Sequence, residues 1–360
     1  MLEVFKFGGS VVTDATALKK IASIILGSPN AKYIVLSATF NTTNRLEDIH
    51  KKFYTGDESY IQDLTLLLSD HLKIARDLSL SIDESLEQIF FKNIKDQVLD
   101  SLSNDESLDY FYSIGEMASS FILASYLKSH SQRYQFLDIR DFLVTNSIPN
   151  QAAPMLYKTR EKLAKNSLDT TYITQGFIGR CVDGKTRTLG REGSDFTGAI
   201  LAWCIDANAL TIWKDVDGIY NCDPIKFQRS QIIRNLSYRD ASLLTDKGAK
   251  VLFSRTMEPL ERQGIKLFVR SIFSDHCGTE IGQTSDLFYS ITARKYDEDN
   301  SVVSVVFDSS ATLKSFISNF NFVNGLFEEG PTFLSFLIKR DTEESLIEKL
   351  LEDLGKLDCK

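Results

Sequence analysis

Gly190-Arg191-Glu192-Gly193-Ser194-Asp195-Phe196-Thr197-Gly198 carries a glycine-rich loop straight into a helical pattern of small and apolar residues. Backbone N–H groups at a helix start have no partner within the helix and carry the positive end of its dipole. Such a junction therefore favours a carboxylate or a phosphate. Arg191 adds a planar fork that fits a carboxylate. The same residues also read as a tight turn capped by Ser194 or Asp195.

The N-terminus bears on that choice. Leu2-Glu3-Val4-Phe5-Lys6-Phe7 reads as a strand that ends at Gly8-Gly9-Ser10, and a helical pattern starts near Thr13-Asp14. Gly8 and Gly9 lack Cβ atoms and let a ligand approach the backbone, with Lys6 just upstream to neutralise phosphate charge. The long GxxxxGK[ST] spacing of a Walker loop is absent. A glycine pair after a strand is also plain turn chemistry.

Working outward, strand and helix patterns alternate. A helix over Ala15–Leu26 closed by Gly27 leads to a strand at Ala31–Ser37, which is βαβ order. Residues 45–130 are mostly helical, with Ile61, Leu64, Leu67, Leu68 and Leu72 spaced by three and four. Strands follow at Tyr134–Leu137, Tyr172–Ile178 and Thr186–Leu189, then a helix at Ser194–Ile205 and a strand at Ala209–Trp213. This order predicts an α/β fold with a mostly parallel sheet covered by helices on both faces. Ligands in such sheets sit at the carboxyl ends of strands, where both glycine loops fall.

The acidic stretch Tyr296-Asp297-Glu298-Asp299-Asn300 is expected to be a domain boundary, dividing residues 1–294 from a smaller module at 300–360. The module reads as a strand (Val302–Phe307), a helix (Leu313–Phe320), two strands (Phe322–Phe327 and Thr332–Ile338) and a helix (Glu343–Leu354). Composition narrows the class. The chain has 360 residues, 43% of them hydrophobic, enough for a large core. A net charge of −8 argues against a nucleic-acid surface but leaves room for a local basic pocket. No apolar run approaches the roughly 20 residues of a membrane span, so a cytoplasmic protein with no membrane partner is the expectation. The five cysteines are scattered without a CxxC pair and read as reduced thiols. His50, His71, His130 and His276 lie far apart and read as solvated or capping residues, so no metal site is expected.

Several segments, in one order, resemble the aspartate kinase branch of the amino acid kinase family. They are Lys6-Phe7-Gly8-Gly9-Ser10; Ser37-Ala38 with Thr43-Asn44; Gly115-Glu116; Gly190 to Asp195; Trp213-Lys214-Asp215-Val216-Asp217-Gly218-Ile219-Tyr220 with Asp223-Pro224; and Gly248-Ala249-Lys250-Val251-Leu252. The resemblance covers roughly the first 280 residues. It implies an amino acid kinase domain at 1–294, followed by a single incomplete ligand-binding module of the ACT type at 300–360, regulatory or dimerising.

Residue roles follow from that resemblance alone. It implies catalytic roles for Lys6, Asp195 and Lys250. It places Ser37, Thr43, Glu116, Phe177, Arg191 and Ser194 around the substrate, with Glu116 on the ammonium and Arg191 on a carboxylate. Lys6, Gly8, Gly9, Ser10, Asp215, Tyr220 and Lys250 are implied to hold ATP, with Mg²⁺ carried mainly on phosphate oxygens. In isolation, Glu116 is a solvated first-turn acid, Phe177 a core residue, Asp217-Gly218 a turn and Lys250 a surface charge.

The implied reaction is phosphorylation of the β-carboxylate of L-aspartate by ATP, giving 4-phospho-L-aspartate and ADP, the first step toward lysine, threonine and methionine. A carboxylate with a pKa of about 3.9 is already ionised at neutral pH, so no general base is required. The alternatives are a kinase of another small amino acid such as glutamate, and a catalytically weak regulatory paralogue that binds amino acid or nucleotide. A homodimer and an amino-acid effector are implied partners, with weak or absent feedback from one incomplete module. The chain departs from the family pattern at Val11, Thr39-Phe40, Glu192, Lys214, Ile225 and Phe253-Ser254. Lys214 stands where the pattern has a threonine and Glu192 where it has a glycine, and Lys226 is a stand-in for the arginine missing at Ile225.

Overall fold

The computed structural model describes residues 1–95, 98–167, 169–249, 254–286, 288–319 and 326–355. They divide into two compact units, one of residues 1–215 with 272–275 and one of residues 216–271 with 276–360.

In the first unit, the strands β1 (Glu3–Phe7), β2 (Ala31–Leu36), β3 (Tyr134–Leu137), β5 (Thr171–Gln175) and β8 (Ala209–Lys214) lie in the order β3-β5-β2-β1-β8, all parallel. A second small sheet is made of β4 (Val144–Thr145), β6 (Ile178–Cys181) and β7 (Thr186–Thr188). Helix α1 (Ala15–Leu26) matches its expected span because Asp14 caps it through Ala17 N–H, and Leu18, Ile21, Ala22 and Ile25 face the core. The helical stretch resolves into α2 (Thr42–Tyr54), α3 (Ser59–Asp77), α4 (Asp83–Lys95) and α5 (Asn104–His130). Helix α5 opens with a capping box between Ser103 and Glu106. Helices α6 (Leu156–Leu163) and α7 (Gly193–Cys204) complete the unit.

Strand alternation sets the layers. Phe5 and Phe7 enter a core with Leu18 and Ile21 of α1 and Ile122 of α5. Lys6 points the other way, toward α7, where a Cβ on Gly198 would lie 3.4 Å from Lys6 Cβ. Helices therefore cover both faces, as the α/β reading expects.

The expected strand Tyr172–Ile178 is interrupted. It breaks at Gly176-Phe177, and Phe177 adopts the left-handed region with φ 69°. The residues before the break belong to the parallel sheet and those after it to the small one.

The second unit contains β9 (Asn235–Ser237), α8 (Tyr238–Asp246), α9 (Ser254–Gln263), β10 (Lys266–Ser271) and β11 (Thr279–Gly282), with β11 between the other two strands. Strands β12 (Tyr289–Lys295), β13 (Asn300–Phe307), β14 (Leu326–Gly330) and β15 (Phe333–Lys339) form an antiparallel sheet in the order β12-β13-β15-β14. Helices α10 (Ser310–Asn319) and α11 (Glu343–Gly355) bury Leu313, Phe316, Leu350 and Leu354 against Val303, Val305 and Phe336 of one face. From β13 onward this is the expected ACT-like strand and helix order. Residues 320–325, where a helix end and a strand start were expected, lie outside the described residues.

The acidic stretch at 296–300 is the turn of the β12–β13 hairpin, where a domain boundary was expected. The Asp297 carboxylate accepts from the N–H groups of Asp299 and Asn300 and from the Asn300 amide. Charged residues are solvated equally well in a turn and in a linker, so composition does not separate the two.

Candidate active site

Helix α7 begins on a loop bent by two left-handed backbones. Gly190 has φ 81° and Glu192 φ 57°, while Phe177 N–H donates to Thr197 Oγ1 at 3.0 Å. A Cβ on Gly176 would fall 2.5 Å from Ser194 Cβ, so only glycine lets the helix start approach the end of β5 this closely. Glu192 provides no side-chain cap, which leaves the α7 N-terminus without one.

Asp195, in the first turn of α7, is 1% exposed and meets Lys6 from the middle of the sheet, with Lys6 Nζ 2.6 Å from Oδ1. Lys214, at the end of β8, brings Nζ to 3.7 Å from Oδ2. Burial alone would raise the Asp195 carboxyl, but the two lysines outweigh it and hold its pKa below the ordinary value. The glycine turn after β1 is tied to β8, since Gly8 N–H donates to Trp213 O at 3.1 Å and Ser10 Oγ to Asp215 Oδ1 at 2.9 Å.

A cavity of about 700 Å³ opens beside this pair. Lys6, Gly9, Ser37 and Thr43 line it from the ends of β1 and β2 and the start of α2, and Glu116 from α5. Phe177, Arg191, Ser194 and Asp195 close the other side. Gly8, Ser10 and Asp215 lie outside the lining, with Ser10 and Asp215 bonded to each other. Tyr220 belongs to the second unit, where it bridges to Ile232. Lys250 lies outside the described residues.

The Glu116 carboxyl is strongly shifted by its surroundings. Glu116 is 3% exposed, and loss of hydration pushes its carboxyl up to about 8 against the opposing pull of the Ala38 and Gly176 backbone, the Lys6 charge and the Ser194 hydroxyl. Its Oε2 has no hydrogen-bond partner among the described residues. A cation entering the cavity would find an acceptor there. Arg191 is exposed and makes no ion pair among the described residues, so its fork is available to a carboxylate.

Four non-glycine residues in the left-handed region, Asn41, Asn150, Phe177 and Glu192, all line this cavity. Such backbones persist where surrounding structure over-determines them, and they cluster at ligand sites.

Sequence reasoning missed Tyr112. Its ring lies 5.7 Å from that of Phe177 and its hydroxyl donates to Glu47 Oε2 at 3.2 Å, both at the cavity. It sits one helical turn before Glu116 on α5, a spacing that could have revealed it. Asn150 comes from a loop without any such signal.

The family departures resolve differently. Val11 is fully buried in the core. Thr39 turns into a buried network with Thr42 (2.6 Å) and His71 (3.1 Å), and Phe40 stays 67% exposed at the rim. Glu192 makes no pair with Arg191 among the described residues. Lys226 is half exposed and pairs with Glu344 at 3.1 Å. Phe253 lies outside the described residues. The expectation of solvated histidines fails for His50 and His71, which are 3% and 1% exposed. Hydrogen bonds to Ser107, and to Thr39 and Leu67, offset part of their desolvation, and burial lowers both pKa values. No helix among the described residues is long and apolar enough to cross a membrane.

Residues 1–271 match the model of the amino acid kinase family. Lysine-sensitive aspartokinase 3 of Escherichia coli is 31% identical over 276 residues, covering 74% of this chain and 61% of that protein. The chloroplastic bifunctional aspartokinase/homoserine dehydrogenase 2 of Arabidopsis thaliana is 30% identical over 290 residues, 76% of this chain but 31% of the relative's length. The chain thus spans from 31% to 61% of the length of these relatives. The crystal structure of E. coli aspartokinase III with aspartate and ADP aligns with a TM-score of 0.83 at 23% identity, covering 99% of this chain and 100% of that one.

Proposed function

The chain belongs to the amino acid kinase family, and we propose that it transfers the γ-phosphoryl group of ATP to the β-carboxylate of L-aspartate, giving 4-phospho-L-aspartate and ADP. The observation that carries this reading is one cavity whose wall holds the Lys6–Asp195 pair, Glu116 and Arg191 together. A free α-amino acid presents an ammonium and a carboxylate at once. Glu116 takes the first and Arg191 the second, with Ser37, Thr43, Phe177 and Ser194 shaping the space between. The aspartokinase relatives, and the aspartate and ADP bound by the E. coli protein, support the same reading.

The chemistry asks for charge cancellation more than for acid–base work. A β-carboxylate oxygen attacks the γ-phosphorus, the phosphorus–oxygen bond to the diphosphate breaks, and its electron pair leaves on ADP. No proton has to move, because the nucleophile is already ionised. Lys6 and the N–H groups at the start of α7 offset the phosphate charge, and Asp195 fixes Lys6 in place. Gly8, Gly9, Ser10 and Asp215 follow the nucleotide. Tyr220 and Lys250 keep the nucleoside and phosphate roles that the motifs imply. No group of three or more His, Cys, Asp or Glu among the described residues is placed to hold a metal, and Asp195 is already engaged by two lysines. The described residues thus offer Mg²⁺ no cage of carboxylates, and the ion would enter on the phosphate oxygens of ATP. The proposal extends to the first step toward lysine, threonine and methionine, to an amino-acid effector on the ACT-like module, and to a homodimer. The lysine-sensitive relative supports the effector.

Trapping the acyl phosphate with hydroxylamine, in the presence of Mg-ATP and either L-aspartate or L-glutamate, tests the reaction. Aspartyl hydroxamate from wild type, lost in Arg191→Ala, is the expected result. Glutamyl hydroxamate in its place, or no product from either acid despite ATP binding, would overturn the assignment.

A further inference from the structure

Helix α5 separates two cavities of the first unit. Tyr112 and Glu116 line the one described above, and Tyr110, Ile114 and Met117, on the opposite side of the helix, line another of about 550 Å³. The two linings share no residue. The second cavity is also lined from α4, from β3 and the turn after it, and from β6. Its size lies within the range of small-molecule sites, roughly 300–1,000 Å³.

The lining combines apolar and cationic side chains. Phe121 of α5 and Phe136 of β3 meet edge to face with ring centroids 5.4 Å apart, and half-buried Ile89 and Met117 extend the apolar wall. Lys92, Arg140 and Arg180 supply three cations from three elements, and among the described residues no aspartate or glutamate shares the lining. This inverts the balance of a chain whose net charge is −8. The two arginines are unequally engaged. Arg140 grips Asp138 through Nε and Nη2 at 2.9 and 2.6 Å. Arg180 donates Nε to the Arg140 carbonyl at 3.2 Å and approaches Asp141 only at 3.4 Å through Nη2. Its Nη1 makes no hydrogen bond among the described residues, so part of the Arg180 fork is open to an anion.

We propose that this second cavity binds a small carboxylate that carries an aromatic or branched apolar body and no positive charge. Arg180 takes the carboxylate, Lys92 adds a second cation, and the Phe121–Phe136 pair with Ile89 and Met117 receives the apolar body. The contrast with the first cavity sets the specificity. There Glu116 accompanies Arg191, so an ammonium and a carboxylate are both answered. Here an ammonium would face three cations with no acid beside them, and like charges brought together select against a free amino acid.

Three probes that share one phenyl ring test this. They are 3-phenylpropionate, L-phenylalanine, which adds an ammonium, and 3-phenylpropan-1-ol, which lacks the carboxylate. Their binding to the full chain is measured by calorimetry with and without excess L-aspartate. 3-Phenylpropionate is expected to bind in both conditions, about 10-fold more tightly than either other probe. Arg180→Met should weaken it about 10-fold and Lys92→Met about 3-fold, while Arg191→Ala leaves it unchanged. Because Arg180 also bonds the Arg140 carbonyl, a second variant guards against a folding defect. Gln88→Glu places an acid on the lining at an exposed position of α4, one turn before Lys92, and should narrow the lead of 3-phenylpropionate over L-phenylalanine. Equal affinities for the three probes would overturn the proposal. So would no binding of 3-phenylpropionate at millimolar concentration, its displacement by L-aspartate, or its loss in Arg191→Ala in place of Arg180→Met.

Discussion

Lys6 Nζ lies 2.6 Å from Asp195 Oδ1 with 6% and 1% of the two side chains exposed, an ion pair closed off from water where β1 meets the first turn of α7. Removing one member leaves the other charge buried without its contact partner, which typically costs 3–5 kcal/mol by principle. Lys214 still sits 3.7 Å from the carboxylate, so Lys6→Met is expected at the low end, about 3 kcal/mol. Lys6→Met with Asp195→Asn removes both charges and should recover most of that stability in urea unfolding while remaining inactive. A single variant as stable as wild type would show that the pair contributes nothing to the fold.

Glu116 makes the empty protein sensitive to alkali. Its carboxyl is raised to about 8 in the fold, mainly by burial, against roughly 4.3 in an unfolded chain. A raised pKa means that the folded state binds the proton more tightly. The contribution is fully present below the unfolded value and is lost as pH rises through about 8. Wild type should therefore lose stability over that window with a slope of up to about 1.4 kcal/mol per pH unit, and Glu116→Gln should flatten it. Asp109, raised to about 6 chiefly by burial, titrates in both proteins and cancels in the difference. A substrate ammonium favours the ionised form, so aspartate affinity should improve as pH rises toward 8 in wild type only. Identical urea profiles for the two proteins would contradict the burial argument.

Residues far apart in sequence meet at this cavity because a parallel sheet gathers its strand ends on one side. That made the glycine loops after β1 and before α7 legible, and the Asp14 cap made α1 legible to the residue. Phe177 was legible as a pocket residue through the motif, but its backbone was not. The run Tyr172–Ile178 looks like a continuous strand, yet close packing of Ser194 on Gly176 forces a break that local propensity does not encode. The sharing of Asp195 between Lys6 and Lys214 was hidden for a related reason, since it depends on register between β1 and β8. Tertiary pairing decides such details after the local patterns have been satisfied.

Gly176 offers a direct probe of that packing. A Cβ there would meet Ser194 Cβ at 2.5 Å and Cα at 2.7 Å, both on the first turn of α7. A helix cannot yield as a flexible side chain can, so Gly176→Ala should shift the Ser194–Asp195 turn and cost about 1–3 kcal/mol. Catalysis should fall more than substrate affinity, because Asp195 moves while Arg191 remains exposed. Unchanged kcat in Gly176→Ala would mean that α7 tolerates the displacement.

Glu192 combines an unfavourable backbone with an acid at the mouth of the cavity. Its φ of 57° lies in the left-handed region, which costs a residue with a Cβ about 1–2 kcal/mol relative to glycine. Two substitutions separate backbone from charge. Glu192→Ala removes the carboxylate and keeps the strained backbone, whereas Glu192→Gly removes both. Glycine should exceed alanine in stability by about 1 kcal/mol, after part of the gain is offset by its greater freedom when unfolded. Both variants remove the same negative charge beside Arg191, so both should lower KM for aspartate to a similar degree if that charge repels the substrate. Equal stability of the two would show that the loop relaxes out of the left-handed region once glutamate is gone, and unequal KM values would assign the effect to the backbone in place of the charge.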